Sequence, residues 1–171
     1  MFSLKLSRSI EKSKFYRSFS LTNWFKSWKD AAQSQRLIYP PPHSQFTTKN
    51  RIIDIYINEK QELYPYLNVK QPLLLHFTYA TQQNNKVTKA LFDVLSDANK
   101  YPFGDQENKS VYLVNILCDS QGGRELILDY VVGSKIPCVL VLKHQLPTGQ
   151  RFIPNVENFN EQDVIEWLRT I

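Results

Sequence analysis

Few side chains in this 171-residue chain are equipped for nucleophilic or redox chemistry: Cys118, Cys138 and the histidines His43, His76 and His144. A thiol attacks only as its thiolate, so a reactive cysteine needs an electropositive, accessible setting. Cys138 directly follows Pro137 at the head of an apolar run. It reads either as a small apolar strand residue or as a lone thiol open to glutathionylation. His76 lies inside the apolar run Leu73–Phe77, the setting of a buried histidine with one satisfied hydrogen bond, against which stands a role in proton transfer. His43 and His144 fall in polar stretches with no nucleophile beside them. Asp119, Glu125 and Asp129 form no ligand cluster with a histidine, so no metal is expected. Gly122-Gly123 lacks the Gly-Lys-Ser/Thr ending of a phosphate loop. The remaining feature is the run Gln82-Gln83-Asn84-Asn85, four amides that donate and accept hydrogen bonds and do no covalent chemistry.

The elements that position these residues follow from periodicity. Ile53, Ile55 and Ile57 alternate with Asp54 and Tyr56, the pattern of a half-buried strand. Glu59–Leu67 reads as a short helix, interrupted or ended near Pro65. Leu73–Phe77, after Pro72, is a buried strand. Asn84 or Asn85 is placed to cap a helix in which Val87, Ala90, Leu91, Val94, Leu95 and Ala98 recur at helical spacing, ending before Pro102. A polar loop over 104–109 leads to a strand over Val111–Leu117. Gly122-Gly123 opens a second helix, roughly Arg124–Val131. Cys138–Lys143 is a further strand, Leu146-Pro147-Thr148-Gly149 a turn, and Gln150–Ile153 the returning hairpin arm. Asn160, with Asp163 three residues on, caps a last helix whose inward stripe is Val164, Ile165, Leu168 and Ile171. The order β-α-β-α-β-α-β-β-α predicts parallel strands joined by helical crossovers, with a late antiparallel edge. No internal repeat is visible.

Charge is unevenly spread. The chain carries +5, and residues 1–19 hold four of those units through Lys5, Arg8, Lys12, Lys14 and Arg17 against Glu11. That segment is serine-rich, with Phe2, Leu6 and Ile10 on one helical side. A basic, acid-poor, amphipathic leader has the composition of a mitochondrial transit peptide, and a basic arm for nucleic acid or lipid is the alternative. Arg17-Ser18-Phe19-Ser20 resembles a mitochondrial processing site. The sequence therefore divides into a transit peptide (1–19), a linker or tail (20–50) and a domain (51–171). In the tail, Trp24 and Trp28 alternate with lysines, which allows a peripheral membrane contact, and Pro40-Pro41-Pro42 stops any helix. No apolar run approaches the roughly 20 residues of a transmembrane helix. Basic residues of the domain are scattered among acids, so no nucleic-acid partner is expected.

The element order, with Ile136-Pro137 ahead of the fourth strand, resembles the thioredoxin-like superfamily over about residues 50–171. Three features carry the likeness: the strand–loop–helix unit over Leu73–Ala98, the strand ending in Asn115-Ile116-Leu117-Cys118-Asp119 before a helix, and Tyr130–Pro137 followed by Val-Leu-Val-Leu. The stretch ahead of Pro137 is one residue longer than the family pattern. The resemblance implies an α/β fold of three layers, a central mixed sheet with helices on both faces. It places Gln82-Gln83-Asn84-Asn85 where the family carries its Cys-x-x-Cys pair, so dithiol exchange is lost there. His76 falls at the family's buried carboxylate. Pro137 resembles its cis-proline, beside which a groove would be lined by Gln82, Gln83, Asn84, Asn85, Ile136, Pro137 and Cys138. The implied strand order sets Cys118 and Cys138 two strands apart, about 9–10 Å, beyond the roughly 7 Å limit for a disulfide. The functional expectation is a mitochondrial matrix protein with no dithiol redox activity and no cofactor, binding or assembling a protein partner. Two alternatives stay open: a glutathione-linked monothiol oxidoreductase using Cys138, and a purely structural subunit of a mitochondrial complex.

Overall fold

A computed structural model describes residues 36–171. The leader, the processing region Arg17–Ser20 and the tryptophans Trp24 and Trp28 lie outside the described residues. The elements are β1 (Arg51–Ile57), a 3-10 helix (Lys60–Tyr66), β2 (Leu73–Thr78), α1 (Gln82–Ser96), β3 (Tyr112–Leu117), α2 (Gln121–Asp129), β4 (Cys138–Lys143), β5 (Leu146–Phe152) and α3 (Glu161–Leu168). The sheet order is β1-β3-β2-β4-β5, with β1, β3 and β2 parallel and β4 and β5 antiparallel to their neighbours.

Strand side chains alternate between the two faces, and each face has its own core. Leu74, Leu113, Val139 and Val141 pack against Val87 and Leu91 of α1 and Val164 and Leu168 of α3. Leu75, Phe77, Val114, Ile116, Cys138 and Leu140 pack against Leu63 of the 3-10 helix and Leu126 of α2. The central strands β2 and β4 are buried on both faces, which is why they read as near-continuous apolar runs, β2 broken by His76. The result is the α/β three-layer arrangement expected from the sequence.

Three local readings are revised. In β1, Ile52 pairs with Leu113 and Tyr56 with Asn115, so Ile53, Asp54 and Ile55 together oppose Val114 alone. This bulge breaks the period of two. Ile55 is turned out at 44% exposure, while Tyr56 is buried with its hydroxyl donating to the Ile38 carbonyl at 2.6 Å. The expected short helix near Pro65 is present, as a 3-10 helix over Lys60–Tyr66 that ends one residue after that proline. The cap of α1 is Thr81, whose hydroxyl accepts the Asn84 N–H; Asn84 and Asn85 lie inside the helix. The β4–β5 turn is His144-Gln145, both at positive φ (51° and 69°), and β5 already begins at Leu146. Positive φ at both central residues matches the twist of a two-residue hairpin.

Residues 36–50 pack against α1 and β1: Arg36 meets Asn85, and Ile38 and Tyr39 meet Tyr56. Ile38 and Phe46 join the α1-side core. Asn50 is fully buried: its side-chain carbonyl accepts from the Val111 N–H at 2.9 Å and its amide donates to the Leu95 carbonyl at 2.9 Å. Truncating Asn50 strands a buried N–H, so Asn50→Ala is expected to lower stability by about 2 kcal/mol in urea unfolding. A change within experimental error would mean that this tie does not form.

The C-terminus of α2 closes with Val132 N–H on the Ile127 carbonyl (2.9 Å) and Val131 N–H on the Leu128 carbonyl (3.2 Å). This is a Schellman motif with valine at the left-handed position, φ 50°. A β-branched residue is poorly suited there, and Val131 is 72% exposed, so packing offsets little of the strain. Val131→Gly is expected to raise stability by about 1 kcal/mol, read as a shift in the urea midpoint. A loss of stability would show that the valine side chain is held by contacts this arrangement lacks.

Candidate functional site

The antiparallel pairing of Phe77 with Cys138 puts the loop after β2 and the Ile136–Pro137 step at the same end of the sheet. The Ile136–Pro137 peptide is cis. Two parts of the expected groove are therefore neighbours by topology.

The first turn of α1 supplies the rest. Thr81 is extended and accepts the Asn84 N–H on its hydroxyl at 3.3 Å, while Asn85 N–H bonds to the Thr81 carbonyl at 2.8 Å. Gln82 and Gln83 are exposed and Asn85 is half-buried. Asn84 turns inward at 6% exposure. Asn85 donates through Nδ2 to the Arg36 carbonyl at 2.7 Å, so its amide is engaged by the segment that enters the domain. The turn that meets solvent is thus a pair of neutral glutamines on a helix N-terminus. It offers hydrogen bonds and a partial positive charge, with no group that can transfer electrons or act as a nucleophile.

Beneath this turn lies His76, fully buried, with Nδ1 2.9 Å from Oδ1 of Asn115 on β3. Burial pushes its pKa down to about 4, opposed by the Asn115 hydrogen bond. It is a neutral imidazole at physiological pH and makes the one hydrogen bond expected of it.

Cys118 and Cys138 are free and buried, flanking β2 on the α2 side of the sheet. Cys118 takes its N–H to the Thr78 carbonyl (2.9 Å), and Cys138 lies opposite Phe77. Burial pushes the Cys118 thiol up to about 12, and it raises the Cys138 thiol against the opposing charge of Arg151. Both are thiols, not thiolates, near neutrality. Iodoacetamide at pH 8 is expected to modify neither cysteine in the native protein and both after unfolding, as counted by mass spectrometry. Rapid native alkylation of Cys138 would reverse this assignment.

Three contributors were not singled out from the sequence. Thr81 carries the cap; its signal was a hydroxyl three residues ahead of Asn84, the ordinary capping spacing. Asn115 holds His76; both interrupt apolar strand runs, a matched pair of polar breaks. The third is an apolar depression of about 440 Å³ lined by Tyr79, Cys118, Asp119, Arg124, Ile127 and Leu128. It lies at the same sheet end, because Tyr79 follows β2 and Cys118 follows β3. Among the described residues, no group of three or more His, Cys, Asp and Glu side chains is placed to hold a metal ion, and no helix is long and apolar enough to cross a membrane.

Sheet order, helices on both faces and the Pro137 step before β4 define a thioredoxin-like α/β fold. Solved structures similar to the chain include thioredoxins. Thioredoxin O2 from Arabidopsis thaliana in its oxidized state shares 15% identity at TM-score 0.46, covering 72% of this chain and 95% of that one. Thioredoxin O1 from Arabidopsis thaliana, also oxidized, shares 12% at 0.47 over 71% and 98%. An Entamoeba histolytica thioredoxin mutant shares 15% at 0.45 over 68% and 98%. No protein-family model matches the chain, and no curated protein does.

Proposed function

We propose that this is a mitochondrial thioredoxin-like protein without dithiol chemistry, which binds or assembles a protein partner at the sheet end formed by the α1 turn and Pro137. The observation that carries the reading is the substitution of chemistry at that turn. Thr81 and Asn84 hold each other, and the exposed positions are Gln82 and Gln83. The only cysteines are buried and protonated. Exposed Tyr79 and Leu128 add apolar surface at the same sheet end, suited to a protein surface rather than to a small charged substrate. The mitochondrial assignment rests on the basic, serine-rich leader and Arg17-Ser18-Phe19-Ser20.

The test is direct. The full chain is expected to show no disulfide reduction with either glutathione or thioredoxin reductase as electron source. Activity abolished by Cys138→Ser would establish the monothiol enzyme instead. Cross-linking in isolated mitochondria is expected to recover a stoichiometric protein partner whose yield falls on replacing Gln82 and Gln83 together by glutamate. Failure of the tagged chain to enter mitochondria would remove the compartment from the proposal.

A further inference from the structure

The described chain enters the domain at the candidate site. Asn85, in the first turn of α1, donates to the Arg36 carbonyl at 2.7 Å, and the Tyr56 hydroxyl donates to the Ile38 carbonyl at 2.6 Å. Tyr56 lies near the C-terminal end of β1, which is parallel to β3, so both bonds bring residue 36 to the end where β2 and β3 finish. The apolar depression of about 440 Å³ opens at that same end. Its Tyr79 carbonyl accepts the Thr81 N–H at 2.8 Å, and the Thr81 carbonyl accepts the Asn85 N–H at 2.8 Å, so its wall and the entry point are joined by little more than one turn. Leu128, also lining it, is 77% exposed. Asp119 in the depression and Glu125 beside it pair with no described basic side chain. Arg124 is engaged by the Asp119 carbonyl at 2.8 Å.

The residues upstream of Arg36 have matching chemistry. The stretch 20–29 carries Trp24, Phe25 and Trp28 with Lys26 and Lys29 and no acid. Cleavage at the expected processing site would leave it attached to the domain. Trp28 precedes Arg36 by eight residues, a reach of up to about 26 Å. That suffices to pass from α1 on one face to α2 on the other, two layers of about 10 Å each. We propose that residues 24–28 dock in cis on this depression, the aromatic side chains against Tyr79 and Leu128 and the lysines toward Asp119 and Glu125. Burying a tryptophan there removes apolar surface of both partners from water. The short linker sets an effective concentration on the order of millimolar, which favours the chain's own segment over that of a second copy. The consequence rests on the reading of this sheet end as the partner surface: the docked segment is an internal competitor that a partner must displace.

The experiment replaces Trp28 by the photo-cross-linker p-benzoylphenylalanine in the full chain, irradiated as an equal mixture of isotope-labelled and unlabelled protein. The expected result is links from position 28 to Tyr79 or to residues 119–128 within one chain, lost in Leu128→Lys. That substitution changes an exposed helical position and sets like charge against Lys26 and Lys29. A second measurement follows Trp24 and Trp28 by fluorescence, with Trp167→Phe as background. Leu128→Lys is expected to shift their emission to the red and to open them to acrylamide. Links to other surfaces, links only between chains, or tryptophans protected only when anionic vesicles are added would each overturn the docking. Replacing Trp24 and Trp28 together by alanine is expected to raise recovery of the cross-linked partner. Links within the chain with unchanged partner recovery would support the docking and count against this sheet end as the partner surface.

Discussion

Replacing Gly123 by alanine is expected to destabilise the protein by at least about 3 kcal/mol, among the largest effects of any single methyl group in this fold. Ser120 caps α2, accepting the Gly123 N–H at 2.9 Å while its own hydroxyl donates to the Leu117 carbonyl at 2.7 Å. This folds the helix start back onto the last residue of β3. A Cβ on Gly123 would lie 2.0 Å from the Leu117 carbonyl oxygen and 2.8 Å from its carbon. Those are backbone atoms, so no rotamer change relieves the clash. Either α2 lifts from the sheet, opening the core around Leu126 and Cys118, or the end of β3 is displaced. Gly122 is similarly pinned: its Cβ would meet the backbone of Glu59 and Lys60 at 2.5 Å. Gly133→Ala is the control. Gly133 has open space around it and carries only the penalty of a φ of 83°, about 1 kcal/mol. Urea unfolding of the two variants, Gly123→Ala and Gly133→Ala, measures the difference. Gly123→Ala within 1 kcal/mol of the parent would mean that α2 does not seat on β3 in this way.

The Gly-Gly pair illustrates what the sequence conveys and what it withholds. Its position at the start of a helix was legible, and so was its lack of phosphate-loop partners. The reason for two glycines was not, because it lies in backbone atoms of β3 and the 3-10 helix, distant along the chain in the second case. The same division runs through the fold. The strands β2, β3 and β4 were legible because burial on both faces leaves near-continuous apolar runs, broken by His76 and Asn115. The bulge in β1 was not, since Ile53, Ile55 and Ile57 satisfy a period of two whether or not the register slips. Pro147 and Gly149 carry stronger turn chemistry than His144 and Gln145, yet the pairing of Leu142 with Pro147 and Lys143 with Leu146 places the turn earlier. Asn and Thr both cap helices well; burial of Asn84 against the sheet decides between them, and burial is a tertiary fact. At the candidate site, the run of amides was readable and the division of labour within it was not. Gln82 and Gln83 face outward, Asn84 faces the sheet and Asn85 holds Arg36. The partnership of His76 with Asn115 depends on parallel register between strands 39 residues apart. The segment 36–50 has no periodicity to announce its packing, because its contacts are isolated side chains and backbone groups laid against α1 and β1.

The second large effect is a dependence of stability on pH to which His76 contributes most. An ordinary histidine titrates near 6.5, and the same side chain in the unfolded chain is expected to do so. In the folded protein, burial holds it down to about 4, although the Asn115 hydrogen bond works in the other direction. Between these values the unfolded state binds a proton that the native state refuses, so lowering the pH favours unfolding. The native advantage is complete above about pH 6.5, shrinks as pH falls toward 4, and is lost below. The interval from 6.5 to about 4 corresponds to about 3 kcal/mol. The protein is therefore expected to be markedly less stable at pH 4.5 than at pH 7, by urea unfolding at fixed ionic strength. Carboxylates also titrate toward the lower end of that range, so the parent curve alone does not isolate the histidine. His76→Gln supplies the missing comparison. It keeps a hydrogen-bonding amide of similar reach for Asn115 and removes the titration. Its stability is expected to be lower at pH 7, because the imidazole packing is lost, but to change far less between pH 7 and 4.5. The difference between the two profiles should fall within the window from 6.5 to 4. Parallel profiles would show that His76 takes up its proton as readily in the folded state as in the unfolded one. They would then also speak against a neutral imidazole beneath the first turn of α1.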